Sequence, residues 1–213
     1  MFIERLILRG CAYTLFISSV SIVFGFILGL SIGTVTSRYC SSRTLRCIGN
    51  AYVNIIRGTP LFIQILIIYF GLPSISKLDP SPLVAGLIAL SINSAAYLGE
   101  SVRGGINALS LGQWESAKVL GYKRHQIFIY IIYPQVLRNI LPSLTNEFIT
   151  LIKESSILMV VGVPELTKVS RDIVARELNP MEMYTITAGL YLLMTSAFAY
   201  IARFAERKKK YDS

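Results

Sequence analysis

Apolar residues along this chain fall in long unbroken runs, without the short periodic blocks of a soluble domain. No charged residue occurs from Gly10 to Ser37, from Gly58 to Ser76, from Pro80 to Gly99 or from Met183 to Ala202. A bilayer core of about 30 Å needs about 20 apolar residues in a helix rising about 1.5 Å each. All four stretches are read as spans on that measure. A fifth, from Phe148 to Pro164, contains Lys153 and Glu154 but is otherwise rich in Ile, Leu and Val. The expected architecture is an all-α transmembrane five-helix bundle. Its spans lie at about 10–37, 52–73, 80–102, 146–165 and 183–203, in one domain covering 1–213. Gly25, Gly29 and Gly33 recur every fourth residue in the first span. Such a strip either lets a second helix approach closely or reflects the ordinary glycine content of membrane helices.

Composition strengthens the membrane reading. The chain of 213 residues is 53% hydrophobic and only 15% charged. That excludes a disordered chain, and three cysteines exclude a disulfide scaffold. The net charge of +9 is carried by residues flanking the apolar runs, which fits lipid headgroups better than nucleic acid. With the N-terminus outside, fourteen Lys and Arg fall on the inner side and six on the outer, with Lys153 inside a span. The positive-inside rule then sets the N-terminus outside and the C-terminus cytoplasmic, although Arg5 and Arg9 pull locally the other way. The Arg207–Lys210 run reads as a headgroup anchor, and Cys40 and Cys47 fall on the inner, reducing side.

The segment 103–145 is the longest connection, and its residues are not those of a plain loop. Residues 113–120 have helical character, with Gly121 as their stop. Residues 123–133 read as a second helix ended by Pro134. A short helical module on the inner face either rests on headgroups or docks on another protein. Within the fifth stretch, a charge at mid-bilayer costs about 2.5–3.5 kcal/mol on an insertion scale. Lys153 and Glu154 point about 100° apart on a helix, so they pair poorly with one another. At least one of them ties helices together or faces a solute path.

Several chemistries are excluded. No Lys is followed by Ser or Thr, so the phosphate-cradling loop of nucleotide hydrolases is absent. His125 is the single histidine and lies beside no acidic residue, which leaves neither a zinc motif nor a hydrolytic triad. The chain therefore reads as one that passes a solute rather than transforms it.

Several blocks resemble one family. Glu115-Ser116-Ala117, Gly121 and then Ile131 to Gln135 resemble the EAA loop of bacterial ABC importer permeases. Arg57 to Leu61, Gln64 and Tyr69 to Pro73 resemble the second span of polar amino acid permeases. Ser94 to Glu100 with Arg103 to Ile106 resembles their third span. Asn146 to Phe148, Leu151 to Ser156 and Gly162 to Leu166 resemble their fourth. Two departures stand in the loop: Ser116 replaces the first Ala, and Tyr133 replaces the usual Leu before Pro134. The small Ser116 keeps close contact possible, while the larger Tyr133 is expected to alter the docking surface.

The resemblance implies a permease subunit in the bacterial cytoplasmic membrane, importing a basic amino acid or glutamine. It implies a cytoplasmic P-loop ATPase dimer, a second permease subunit, identical or homologous, and an extracytoplasmic amino-acid-binding protein. It also implies that ATP and magnesium are bound by the ATPase, with no cofactor, metal or enzymatic activity on this chain. Glu115, Ser116, Ala117, Gly121 and Pro134 are the expected ATPase-coupling residues. Glu154 and Ser155 lead the expected substrate path, followed by Lys153, Glu100, Asn93 and Gln64. Glu100 has an alternative role as ion-pair partner of Arg103 at the inner end of its span. Arg57 is expected to snorkel rather than touch solute. The rival readings are a stand-alone ion-coupled carrier or channel, and a membrane enzyme using Glu154 and Lys153.

Overall fold

A computed structural model describes residues 2–40 and 42–211, with side chains from 3–40 and 42–204. The side chains of the Arg207–Lys210 run lie outside the described residues. All regular structure in the described residues is helical. Helix α1 is Phe2–Thr36, α2 Arg43–Gly58 and α3 Leu61–Ile75. Next come α4 Pro82–Ala108, α5 Leu111–Val119 and α6 Arg124–Asn139. The chain ends with α7 Leu141–Val161, α8 Leu166–Glu177 and α9 Pro180–Tyr211. Among the described residues α1, α4 and α9 are each long and apolar enough to cross a membrane, and the bent pairs α2–α3 and α6–α7 reach that length together.

The glycines of α1 do serve close packing. A Cβ on Gly25 would fall 2.8 Å from Ser94 Cβ, one on Gly29 2.9 Å from Leu98 Cβ, and one on Gly33 2.5 Å from Val102 Cβ. Each pairing advances four residues on both helices, so α1 and α4 run parallel in tight register. Ala85, Ala89, Ala95 and Ala96 on α4 are fully buried. With small residues on both sides, the two backbones approach without a gap.

The second expected span, 52–73, is not one straight helix. It breaks by 105° between α2 and α3. Thr59 is extended, as a residue before proline tends to be, and Pro60 continues at ψ 135°. The α2 segment is strongly two-faced, which an apolar-run search passes over. Its Tyr52 hydroxyl donates to the Ile92 carbonyl at 2.6 Å, and its Arg57 guanidinium lies 5.1 Å from the Tyr97 ring centre.

Pro134 does not end a helix. The chain passes from Arg124–Ile127 through a π turn, Phe128–Ile132, into Tyr133–Asn139. An α-helical proline removes a hydrogen bond and clashes with the carbonyl four residues earlier. The wider π turn shifts the ladder by one residue: Tyr133 N–H donates to the Phe128 carbonyl, five back. The same device precedes Pro73, where Leu72 N–H donates to the Ile67 carbonyl after the π turn Ile67–Gly71. The fourth expected span also begins earlier than residue 146. Its helix starts at Leu141-Pro142, bent 55° from α6, and its end tightens into the 3₁₀ segment Ser155–Val161. Gly162 at φ +89° stops it.

Helix α8 was not anticipated from the apolar runs. Its N-terminus is capped by Glu165, which is wholly buried and accepts from the Thr167 and Lys168 N–H groups, both at 2.7 Å. Tyr191 of α9 donates to the same carboxylate at 2.9 Å. Thr187 of α9 donates to the Ser170 hydroxyl at 2.7 Å, and Leu166 N–H donates to Thr14 of α1 at 3.3 Å. A polar seam thus joins α1, α8 and α9.

Candidate functional site

Two regions hold the sequence-predicted residues. The first lies beside the middle of α4, where the α2–α3 break meets α7. Gln64 is buried at that break. Its side-chain amide donates to the Ile56 carbonyl at 2.8 Å and the Thr59 carbonyl at 3.1 Å, capping the open end of α2. Its oxygen accepts from the Asn93 amide at 3.1 Å. Gln64 and Asn93 are therefore joined to each other and to the break. Irregular backbone at membrane depth needs such internal partners.

On α7 the structure adds a residue that the sequence reading left out of the site. Glu147 precedes Glu154 by seven positions, so both carboxylates stand on one face, about 10 Å apart along the axis. Each is within electrostatic reach of the other. Glu147 approaches Ser94 on α4, at the level of Gly25, without closing a well-formed hydrogen bond. The Ser94 hydroxyl, the Ser21 hydroxyl on α1 and one oxygen of Glu154 are buried without a hydrogen-bond partner. Buried polar atoms normally find one. Three of the four buried unsatisfied atoms among the described residues thus lie on α1, α4 and α7, and the fourth, Arg46 Nε, lies on α2. The heptad spacing of the two glutamates was the available signal, and the adjacent Lys153–Glu154 pair drew attention away from it.

The other predicted path residues fall as follows. Lys153 is exposed beside Glu154 and makes no ion pair among the described residues. Ser155 is fully buried and donates to the Ile152 carbonyl at 2.8 Å, one turn back. Glu100 sits away from the carboxylate face, paired with Arg103, whose Nε donates to it at 3.0 Å.

The second region is the α5–α6 module. Ser110 caps α5 by accepting from Gly112 N–H at 3.2 Å. At its other end Tyr122 N–H donates to the Ala117 carbonyl at 3.1 Å and Gly121 N–H to Lys118 at 2.9 Å, with Gly121 at φ +83°. This pair of bonds is a Schellman stop and requires the left-handed conformation that glycine supplies. Tyr39 stacks on Trp114 at 4.5 Å, and Trp114 meets Phe128 edge-on at 5.5 Å. Arg124 donates to the Tyr39 carbonyl and Arg38 to the Leu109 carbonyl, tying the module to the end of α1.

The residues expected to couple to an ATPase divide between two faces of this module. Glu115 and Ser116 are exposed, as are Gly121 and Pro134. Ala117 is only 2% exposed and packs inward with Tyr39 and Trp114, so its small size serves the module's own core. Tyr133 turns inward too, its hydroxyl 3.1 Å from Thr34 Oγ1 on α1; the outer face of the loop is not reshaped by it. That face instead presents Val119 and Leu120, 87% and 75% exposed. Among the described residues no group of three or more His, Cys, Asp or Glu is placed to hold a metal ion.

Comparison with known proteins bears on the family and the fold. Residues 21–211 match the family described as binding-protein-dependent transport system inner membrane component. The chain is 37% identical over 207 residues to the arginine transport system permease protein ArtQ of Bacillus subtilis, covering 96% of this chain and 92% of that one. It is 34% identical over 206 residues to the glutamine transport system permease protein GlnP of Escherichia coli, covering 96% and 93%. It is also similar to a solved structure described as an amino acid ABC transporter with histidines. The TM-score there is 0.86 and the identity 36%, covering 96% of this chain and 94% of that one.

Proposed function

The chain belongs to the family of binding-protein-dependent transport system inner membrane components, and on that premise we propose how it carries its solute. It is a transmembrane permease subunit of an ABC importer for a polar amino acid. ATPase and binding-protein partners follow from the family. The finer reading has five spans: α1, the α2–α3 pair, α4, the α6–α7 pair and α9. The N-terminus and α8 lie outside, and α5 with the first part of α6 lies in the cytoplasm. The host membrane is a bacterial inner membrane. Two permease subunits, identical or homologous, enclose the path. ATP and magnesium bind to the ATPase dimer, where hydrolysis takes place.

The observation that carries the solute assignment is the α7 face with Glu147 and Glu154. It holds two carboxylates, and neither forms an ion pair among the described residues. A desolvated carboxylate pair attracts an ammonium or guanidinium group by charge-assisted hydrogen bonds. The solute is therefore a basic amino acid of the arginine class, with glutamine second. Gln64 and Asn93 hold the α2–α3 break open beside that face, and discontinuous helices of this kind line midplane sites in transporters. Ser155 supports α7 where it tightens after Glu154. Lys153 lies at the rim of the path, and Glu100 steadies the inner end of α4 through Arg103.

Exposed Glu115, Ser116, Val119 and Leu120 form the seat for the ATPase. Gly121 shapes the stop, Ala117 braces the seat from beneath, and Pro134 follows the π turn behind it. ATP binding draws the ATPase halves together, and the two modules follow them, so the path opens to one side at a time.

Affinity capture of the tagged chain from native membranes tests this assembly. Recovery of a P-loop ATPase, with ATP-dependent uptake of arginine after reconstitution with that ATPase and the binding protein, is the expected result. Solute flux through the chain alone, without ATP, would overturn it in favour of a stand-alone channel.

A further inference from the structure

A cavity sits where the end of α1 meets the α5–α6 module, with neither α7 carboxylate among its lining residues. It encloses about 380 Å³, and its lining includes Arg38, Lys118 and Arg124 together with Tyr39, Trp114 and Tyr122. Among the described residues that line it there is no carboxylate. Arg38 and Arg124 are fixed in place by the carbonyls of Leu109 and Tyr39. Lys118 lies over the Trp114 ring at 5.5 Å. A guanidinium carries five N–H donors, and the bonds of Arg38 to Leu109 and Tyr39 both use one nitrogen. Three cations therefore line one cavity together with an aromatic floor.

The depth of this cavity in the membrane follows from the sequence. Arg38 is the first charge after the uncharged run from Gly10 to Ser37, so it stands at the level where the acyl chains give way to phosphates. Trp and Tyr favour the same level. Basic pockets at the cytoplasmic ends of membrane helices suit anionic headgroups. We infer that this cavity is a binding site for the phosphate of an anionic phospholipid of the inner leaflet, and that the bound lipid joins the end of α1 to the coupling module. The inference rests on the cytoplasmic placement of α5 proposed above. Lys118 follows Ala117 on α5, so the lipid contacts the element that meets the ATPase.

Trp114 is the single tryptophan of the chain, and its emission reports on the cavity. The full-length chain in a neutral detergent is titrated with short-chain phosphatidylglycerol, with phosphatidylcholine of equal chain length and with inorganic phosphate. A saturable change is expected with phosphatidylglycerol alone. Lys118→Gln is expected to raise its midpoint about fivefold, the effect of one basic charge near a headgroup, and Lys118→Arg to leave it near the parent value. Circular dichroism verifies that each variant is folded. Equal curves for the two lipids would overturn the inference. A response to inorganic phosphate alone would replace the lipid with a free anion. Native mass spectrometry of the assembled transporter adds a further arm: release of phosphatidylglycerol when the ATPase docks would make the cavity an ATPase seat and overturn the lipid assignment. A chain that binds the ATPase but ignores phosphatidylglycerol refutes this inference alone. One that binds phosphatidylglycerol but no ATPase refutes the functional reading alone.

Discussion

The bundle interior around α7 and the α5–α6 module leave different groups without partners. Around α7, the unsatisfied groups are polar and buried: Ser21, Ser94 and one oxygen of Glu154. Around α5, backbone carbonyls are met by Arg38 and Arg124, and large apolar side chains stand uncovered among the exposed polar ones, Val119 and Leu120 above all. A buried polar atom without a partner carries a desolvation cost that a polar solute can relieve. Exposed apolar side chains on a folded module are covered by another protein more readily than by a small solute. On the proposed reading, one region receives a passing amino acid and the other a standing partner.

The largest effect that sharpens this contrast is at the module. Replacing Val119 and Leu120 together by Asp puts charge into the proposed seat and is expected to weaken ATPase binding by about 100-fold, as loss of an interface hot spot does. Co-purification measures it, and full recovery of the ATPase would move the seat elsewhere. Glu115→Ala is expected to act more selectively: the chain inserts and still captures the ATPase, but uptake falls about tenfold as a charge-assisted contact is lost. An uptake rate equal to the parent's would remove Glu115 from coupling.

Smaller effects belong to the supports of the interior. Gln64→Leu leaves the carbonyls of Ile56 and Thr59 without their donor and is expected to cost about 1–3 kcal/mol of stability. Thermal unfolding in detergent detects this as a lower midpoint, and an unchanged midpoint would mean that the break holds itself. Tyr133→Phe removes one hydroxyl contact with Thr34 and is expected to cost about 0.5–1.5 kcal/mol, with no loss of ATPase binding. Loss of ATPase binding in that variant would place Tyr133 on the docking face after all.

How much the sequence disclosed follows from what each feature depends on. The α1 and α4 runs and the Gly121 stop were legible because hydropathy and glycine conformation are local properties. The 105° break was not. Gly58 to Ser76 is uniformly uncharged, and only Thr59-Pro60 marks the turn inside it. Pro134 points in the opposite direction, to a helix end that does not occur, since a π turn ahead of it lets the helix continue. Helix α8 was overlooked because its polar face interrupts no apolar run. The pairing of Gln64 with Asn93 depends on a tertiary contact 29 residues apart, which no spacing rule reveals. Glu147 lay within reach of a seven-residue count from Glu154, yet its approach to Ser94 needed the fold.

The central claim is that the α7 carboxylates receive the cationic end of the solute. It is tested most directly by comparing arginine and glutamine uptake in proteoliposomes holding the assembled transporter with parent or Glu154→Gln permease. Each solute is presented with a binding protein that delivers it. Loss of one charge-assisted bond is expected to lower arginine uptake at least about tenfold, with glutamine uptake changed much less and ATPase assembly intact. Equal arginine uptake by parent and variant, or equal losses for both solutes, would contradict the account.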